Sequence, residues 1–114
     1  SHGIGHVLGG TCNVPHGDTS CVMLPTVLRW NEAVNAERQL IVAAAFGQPN
    51  RRAWQVVHEF IAGLGLPRTL AAVNVGPAQF EAVAKAALLE YYIHNNPRPI
   101  HGLEDVMEIL RLAA

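Results

Sequence analysis

The stretch NRRAWQVVHEFIAGL, residues 50–64, has the clearest helical spacing in the chain and decides its fold class. Apolar residues recur every three or four positions, as on one face of an α-helix. The predicted buried face consists of Ala53, Val56, Val57, Phe60, Ile61 and Leu64. Asn50 is a residue type that caps helix N-termini, and Gly63 and Gly65 are expected to end the helix.

The same spacing predicts further helices on both sides of this stretch. One begins at Gly76-Pro77 and ends before Asn95-Asn96-Pro97, because proline is favoured in a first turn and disfavoured inside a helix. Its predicted apolar side is Phe80, Val83, Ala87, Leu88 and Tyr91. The last helix begins near Gly102, with a buried face of Leu103, Val106, Ile109, Leu110 and Ala113.

The first half of the chain adds two helices to this prediction. Residues 20–36 are apolar nearly all round at first, which indicates a central buried helix that Pro25 starts or kinks. A second helix from Glu37 to Phe46 should end at Gly47, and a short helical turn should follow Pro67. No segment alternates as a strand would, so we predict one all-α domain over residues 1–114, a helical bundle.

Composition limits the class of partner. Half of the residues are hydrophobic and only 15% are charged, against about 25% in an average soluble domain. We therefore expect apolar surface to face another domain or a second subunit, which favours a homo-oligomer. The formal net charge of −1 provides no basic surface for nucleic acid or an anionic membrane. Without a transmembrane stretch or signal peptide, a soluble cytoplasmic protein is expected.

Histidines near the start carry the clearest chemical pattern. His2 and His6 are four residues apart, which places both imidazoles on one helix face, and His16 follows across a Gly/Pro loop. Spacing alone allows all three to bind a metal such as iron, zinc, copper or nickel, although such spacing also arises by chance. The remaining histidines, His58, His94 and His101, are expected to be surface or hydrogen-bonded residues.

Two further residue types accompany these histidines. Gly3 and Gly5 lie between them although glycine costs about 1 kcal/mol in a helix interior, which predicts that some group approaches the backbone closely. The alternative is a poorly formed helix end, with Gly9-Gly10 as its C-cap. Cys12 and Cys21 fit no paired-cysteine motif and are expected to be reduced thiols, Cys12 in a loop and Cys21 in the core.

Longer motifs make a resemblance specific. The runs SHGIGHVLGG (1–10), PHG (15–17) and LPTVLRWN (24–31) are followed later by NPRPI (96–100) and EDV (104–106). Together they resemble the C-terminal, all-helical part of iron-type (group III) alcohol dehydrogenases, over essentially the whole chain. The maleylacetate reductase-like branch looks closest, and the implied fold is the dehydroquinate synthase-like α domain.

This resemblance implies an enzyme whose N-terminal nucleotide-binding domain holds NAD or NADP, with the metal and substrate in the cleft between the domains. His2 and His16 would bind Fe²⁺ or Zn²⁺ together with an aspartate and a histidine from outside this chain. His6 would lie beside nicotinamide and substrate as the proton-transfer residue, with Gly3 and Gly5 against the cofactor.

The implied reaction is hydride transfer between an alcohol or hydroxy acid and the nicotinamide ring. Small alcohols, aldehydes, hydroxy acids and maleylacetate-like keto acids are all compatible substrates, and the chain alone is expected to be inactive. Two alternatives remain at this point. One is a free-standing metal-binding module with His6 or Asp18 as a further ligand, and the other is a module for packing or dimerisation.

Overall fold

Five α-helices and two short 3₁₀ segments account for the regular structure of the computed structural model, which describes residues 1–114 and contains no strands. The helices are α1 (His2–Cys12), α2 (His16–Ala45), α3 (Ala53–Gly63), α4 (Pro77–Ala87) and α5 (Leu103–Ala113). The 3₁₀ segments are Ala71–Val73 and Tyr91–Asn95. The predicted all-α fold is thus confirmed, and none of the helices is long and apolar enough to cross a membrane.

Helix α2 replaces the two separate helices expected between residues 20 and 46. It begins at His16, earlier than predicted, and is broken at Asn35, which has non-helical dihedral angles (φ −138°, ψ 31°). The Gln39 amide donates hydrogen bonds to the carbonyl of Leu28 (2.7 Å) and to Asn35 Oδ1 (2.8 Å), which ties the second half back onto the first. Pro25 lies inside the helix and neither starts it nor coincides with the break.

Most predicted buried faces are confirmed, but three large side chains are not buried. Val56, Val57 and Ile61 of α3 are buried, as are Phe80 and Val83 of α4 and the α5 face from Val106 to Ala113. Phe60 and Leu64 are more than half exposed, and Tyr91 is 76% exposed. Tyr91 was expected on the α4 face, but α4 already ends at Ala87, so Tyr91 falls in the following 3₁₀ segment.

Helix ends agree better with the sequence than helix starts. Gly47 and Gly65 have positive φ (75° and 72°), a conformation that favours glycine, and they follow the ends of α2 and α3 as predicted. The N-cap of α3 is Arg52, not Asn50, and α1 runs past Gly9-Gly10 to a left-handed Asn13. Cys12 therefore ends a helix, not a loop, and Cys21 is half-buried where a core position was expected.

Two glycines allow α1 to pack closely against its neighbours. A Cβ on Gly5 would lie 3.1 Å from Thr19 Oγ1 of α2, and one on Gly3 would lie 3.4 Å from the Ile93 nitrogen. Thr19 is buried, and its hydroxyl donates a 2.7 Å hydrogen bond to the His16 carbonyl, so it cannot move away without losing that bond. At Gly5 the close approach expected from the sequence is made by α2 of the same chain, whereas the contact at Gly3 has ordinary van der Waals spacing.

The segment after the second 3₁₀ turn is joined to α2 by an amide pair. Asn31 and Asn96 exchange side-chain hydrogen bonds of 3.1 and 2.6 Å, and Asn96 also donates to the Arg98 carbonyl. The Arg98 guanidinium lies 3.5 Å from the centroid of the Trp30 ring and donates to the Trp30 carbonyl at 3.0 Å. These contacts connect residues 96–98 to α2, next to α5.

Replacing Gly5 by alanine should reveal the close packing of α1 on α2. Gly10 lies in the same helix with open space around its Cα, so Gly10→Ala should gain up to about 1 kcal/mol of helix propensity. Gly5→Ala has the same gain but must displace Thr19, and we expect it to be about 1–3 kcal/mol less stable than Gly10→Ala in urea unfolding. Equal stabilities of the two variants would show that Thr19 imposes no constraint.

Removing one partner of the amide pair should destabilise the chain. Asn31 is only 7% exposed, so Asn31→Ala removes both hydrogen bonds of the pair and leaves the half-buried Asn96 amide without this partner. We expect a loss of about 1–3 kcal/mol in the free energy of unfolding. Asn95→Ala, at an exposed neighbouring position, is the control and should change stability by less than about 0.5 kcal/mol. Similar losses in both variants would contradict the assignment.

Candidate functional site

His2 and His16 are brought together by the packing of α1 against α2. Each is the first residue of its helix, and the intervening loop turns at Asn13 and Pro15. Their imidazole rings meet edge to face, with centroids 5.3 Å apart and an interplanar angle of 73°. Both side chains are exposed, so the pair opens onto the surface of the chain.

The separation of these rings can be compared with that of two ligands on one metal ion. A tetrahedral ion about 2.0–2.1 Å from one nitrogen of each imidazole separates the ring centroids by about 5 Å. The observed separation of 5.3 Å fits that arrangement. Imidazole is a suitable ligand for both iron and zinc. The ring separation is therefore compatible with two ligands on one ion, and it also lies within the range of an ordinary edge-to-face pair of rings.

His6 lies apart from this pair. It is on α1 one turn after His2, and its side chain is 74% exposed. Its Nδ1 atom lies 3.0 Å from Oε1 of Glu90, which is 84 residues away in the chain. No group of three or more metal-ligating side chains is present, so spacing alone was wrong in allowing three histidine ligands. A carboxylate partner holds His6 instead.

Asp18, the other ligand considered for a free-standing metal module, faces a different cavity. That cavity, of about 540 Å³, is lined by Cys12, Asn13, Val14 and residues 65–67 and 72–74 as well as Asp18. Burial raises the pKa of the Cys12 thiol, which keeps it protonated, and Gln79 Nε2 lies 3.6 Å from its sulfur. The chemistry of this cavity is separate from the His2 and His16 pair.

An open cavity of about 470 Å³ connects His6 with His16. Glycines of α1 form one wall, and the end of α4 forms the other with Leu89 and Glu90. Leu89 is 89% exposed and the adjoining Tyr91 76%. The His6–Glu90 pair and His16 thus lie beside exposed apolar side chains. This combination is typical of a small-molecule site that another surface completes.

Gly3 and Gly5 are buried beneath this surface. A Cβ on Gly5 would press on Thr19, whereas one on Gly3 would meet Ile93 only at ordinary van der Waals distance. Their contact with a cofactor stays a prediction.

The remaining histidines lie elsewhere. His94 is hydrogen-bonded to the Leu88 carbonyl at 2.9 Å, as expected of a structural histidine, and burial, aided by Arg68, lowers the pKa of His58.

Glu90 was missed by the sequence analysis. No motif surrounds it, and its distance of 84 residues from His6 leaves no local pattern that would pair them. Its position depends on where α4 ends, and the expected helix continued past that point.

Comparison with known proteins identifies the family. The family model for the C-terminal part of Fe-containing alcohol dehydrogenases matches residues 1–114. The chain is 34% identical to a dehydrogenase of Alternaria alternata, ALT3, covering 99% of this chain and 34% of that protein. It is 31% identical to lactaldehyde reductase of Escherichia coli strain K12, covering 98% of this chain and 31% of that enzyme. The chain thus spans about a third of the length of these relatives.

Solved structures lead to the same family. The crystal structure of maleylacetate reductase from Rhizobium sp. strain MTP-10005 superimposes with a TM-score of 0.82 at 32% identity, covering 98% of this chain and 30% of that one. The resemblance inferred from the motifs is confirmed, and its relatives include maleylacetate reductases as well as iron-type dehydrogenases. The chain belongs to the Fe-containing alcohol dehydrogenase family and corresponds to its C-terminal part.

Proposed function

We propose that this chain supplies the metal- and substrate-site half of an NAD(P)-dependent oxidoreductase that interconverts an alcohol or hydroxy acid and a carbonyl compound. The observation that carries the proposal is the pair of imidazoles, His2 and His16, at the ring separation expected of two ligands on one ion. Fe²⁺ or Zn²⁺ suits these ligands, and the remaining ligands would come from outside the chain.

Three histidines of the chain have separate roles in this proposal. When bound, the metal polarises the substrate oxygen as a Lewis acid and the nicotinamide exchanges a hydride with the substrate carbon. His2 and His16 hold the ion. His6, which lines the same cavity as His16, has Nε2 free of hydrogen bonds within the chain and is available to take the proton from the alcohol or return it to the carbonyl.

The partner that completes the site is, in our proposal, the N-terminal nucleotide-binding domain of the same enzyme. Two findings support this. The histidine pair lacks further ligands in this chain, and Leu89 at the adjoining cavity is largely exposed, as are Tyr91 and Tyr92 that follow it. Large apolar side chains clustered in this way are usually covered by another protein surface. That domain would hold most of the nucleotide, and Gly3 and Gly5 would contact the cofactor from this chain.

The substrate class follows from the relatives only in outline. Their names include a lactaldehyde reductase and maleylacetate reductases, so small aldehydes and keto acids are the first candidates. The choice between NAD and NADP depends on groups outside this chain. Homo-oligomer formation and a cytoplasmic location stay predictions from composition.

Metal titration tests the proposal. We expect Zn²⁺, or Fe²⁺ without oxygen, to bind the purified chain weakly in calorimetry, with Kd of roughly 1–100 μM, because two of four ligands are present. His16→Ala should weaken binding at least tenfold. The matched control is His101→Ala, an exposed histidine far along the chain, which should leave affinity unchanged.

The same titration separates the alternative module. His6→Ala should leave the affinity for metal as it is, because His6 is held by Glu90 and lies apart from the pair. Binding near about 1 nM at one ion per chain, or loss of binding in His6→Ala, would instead indicate a complete site in a free-standing metal module.

Turnover provides a second test. We expect the chain by itself to show no NAD(P)-linked oxidation of small alcohols or hydroxy acids, followed by nicotinamide absorbance, because it contains neither a glycine-rich phosphate-binding turn nor a complete metal site. Turnover that increases in proportion to the concentration of pure chain, and that His6→Ala removes, would overturn this expectation.

A further inference from the structure

Glu90 makes a single side-chain hydrogen bond, to His6 of α1, which is 84 residues away in the chain. Its Oε1 atom lies 3.0 Å from His6 Nδ1, and this is the only side-chain hydrogen bond of either residue. The Glu90 side chain is 26% exposed and that of His6 74%, so the carboxylate is the more buried member and the imidazole projects above it. No arginine or lysine pairs with this carboxylate.

The end of α4 places Glu90 at this point. After Ala87 the chain leaves the helix, and the Glu90 amide donates a 3.0 Å hydrogen bond to the Ala87 carbonyl. Glu90 itself is extended (φ −78°, ψ 127°) and precedes the Tyr91–Asn95 segment, which packs on α1. The neighbouring Leu89 and Tyr91 point outward while Glu90 is turned toward α1. Backbone geometry therefore brings the Glu90 side chain to α1, within hydrogen-bond reach of His6.

The chemistry of this contact determines which ring nitrogen carries the proton. An ionised carboxylate only accepts hydrogen bonds, so the Nδ1 atom of neutral His6 must be the donor. A histidine without such a partner carries its proton mostly on Nε2. The partner of one ring nitrogen thus decides the state of the other, and here Nε2 is left with its lone pair free.

We propose that Glu90 is a positioning residue for His6. It holds the imidazole as the Nδ1–H tautomer and fixes its ring, so that Nε2 faces the cavity as a proton acceptor. The inference rests on the proposed function in one respect, namely that His6 exchanges a proton with the substrate. The tautomer itself is a property of this chain alone and can be measured without metal, nucleotide or substrate.

Nitrogen NMR of the ¹⁵N-histidine-labelled chain tests the proposal. Spectra are recorded at alkaline pH, raised until the ring shifts stop changing, because the two neutral tautomers then have distinct ring shifts. His6→Gln assigns the His6 signals. We expect wild-type His6 to be mainly the Nδ1–H tautomer and Glu90→Ala to shift it mainly to Nε2–H.

Two internal references keep the result interpretable. Glu81→Ala removes an exposed carboxylate of α4 that pairs with Lys85, and it should leave His6 unchanged. His94, bonded to the Leu88 carbonyl two residues from Glu90, reports whether this segment keeps its fold in Glu90→Ala. A mainly Nε2–H His6 in the wild type would overturn the proposal whatever the variants do. An unchanged His6 in a folded Glu90→Ala chain would also overturn it.

Failure of this inference is distinguishable from failure of the proposed function. Zn²⁺ binding that depends on His16 in a chain whose His6 is Nε2–H would remove only the role of Glu90. A wild-type His6 in the Nδ1–H tautomer, with metal binding indifferent to His16→Ala, would support the positioning of His6 and contradict the metal site.

Discussion

The contact between Gly5 and Thr19 is the constraint on which the candidate site depends. With no side chain on Gly5, α1 approaches α2 so closely that a Cβ there would lie 3.1 Å from Thr19 Oγ1. Thr19 is in turn bonded to the carbonyl of His16. This crossing point lies within one turn of both helix starts, where the His2 and His16 rings are 5.3 Å apart. Glycine between two histidines, costly for the helix, is explained by packing of the chain on itself.

Periodicity predicted the helices of the fold but not all of their limits. The apolar faces around Val56, Val83 and Val106 were evident because burial recurs with the helical period. Tyr91 and Phe60 follow the same period, yet both are exposed. The sequence does not distinguish an apolar residue that its own chain buries from one that remains on the surface. Apolar residues outnumber what one small core can hold, so some of the periodic positions remain outside it.

The candidate site was predictable where its residues are near in sequence and not elsewhere. Motifs around His2 and His16 indicated a histidine pair, and the family resemblance separated them from His6 where spacing alone did not. Glu90 depends on the end of α4 and on the packing of the following segment against α1, neither of which a motif encodes. The resulting surface has two imidazoles edge to face, a third imidazole hydrogen-bonded to a carboxylate, and exposed apolar side chains at the end of α4.

X-ray absorption at the zinc edge of the Zn²⁺-loaded chain tests the central claim most directly, because it counts the imidazoles bound to the ion. The account predicts about two histidine ligands, with water oxygens completing a tetrahedral shell. Substituting His2 or His16 should reduce the imidazole count. Three or more imidazoles, or a sulfur ligand from Cys12, would show a different metal site and would contradict the assignment of His2 and His16 as half of a shared one.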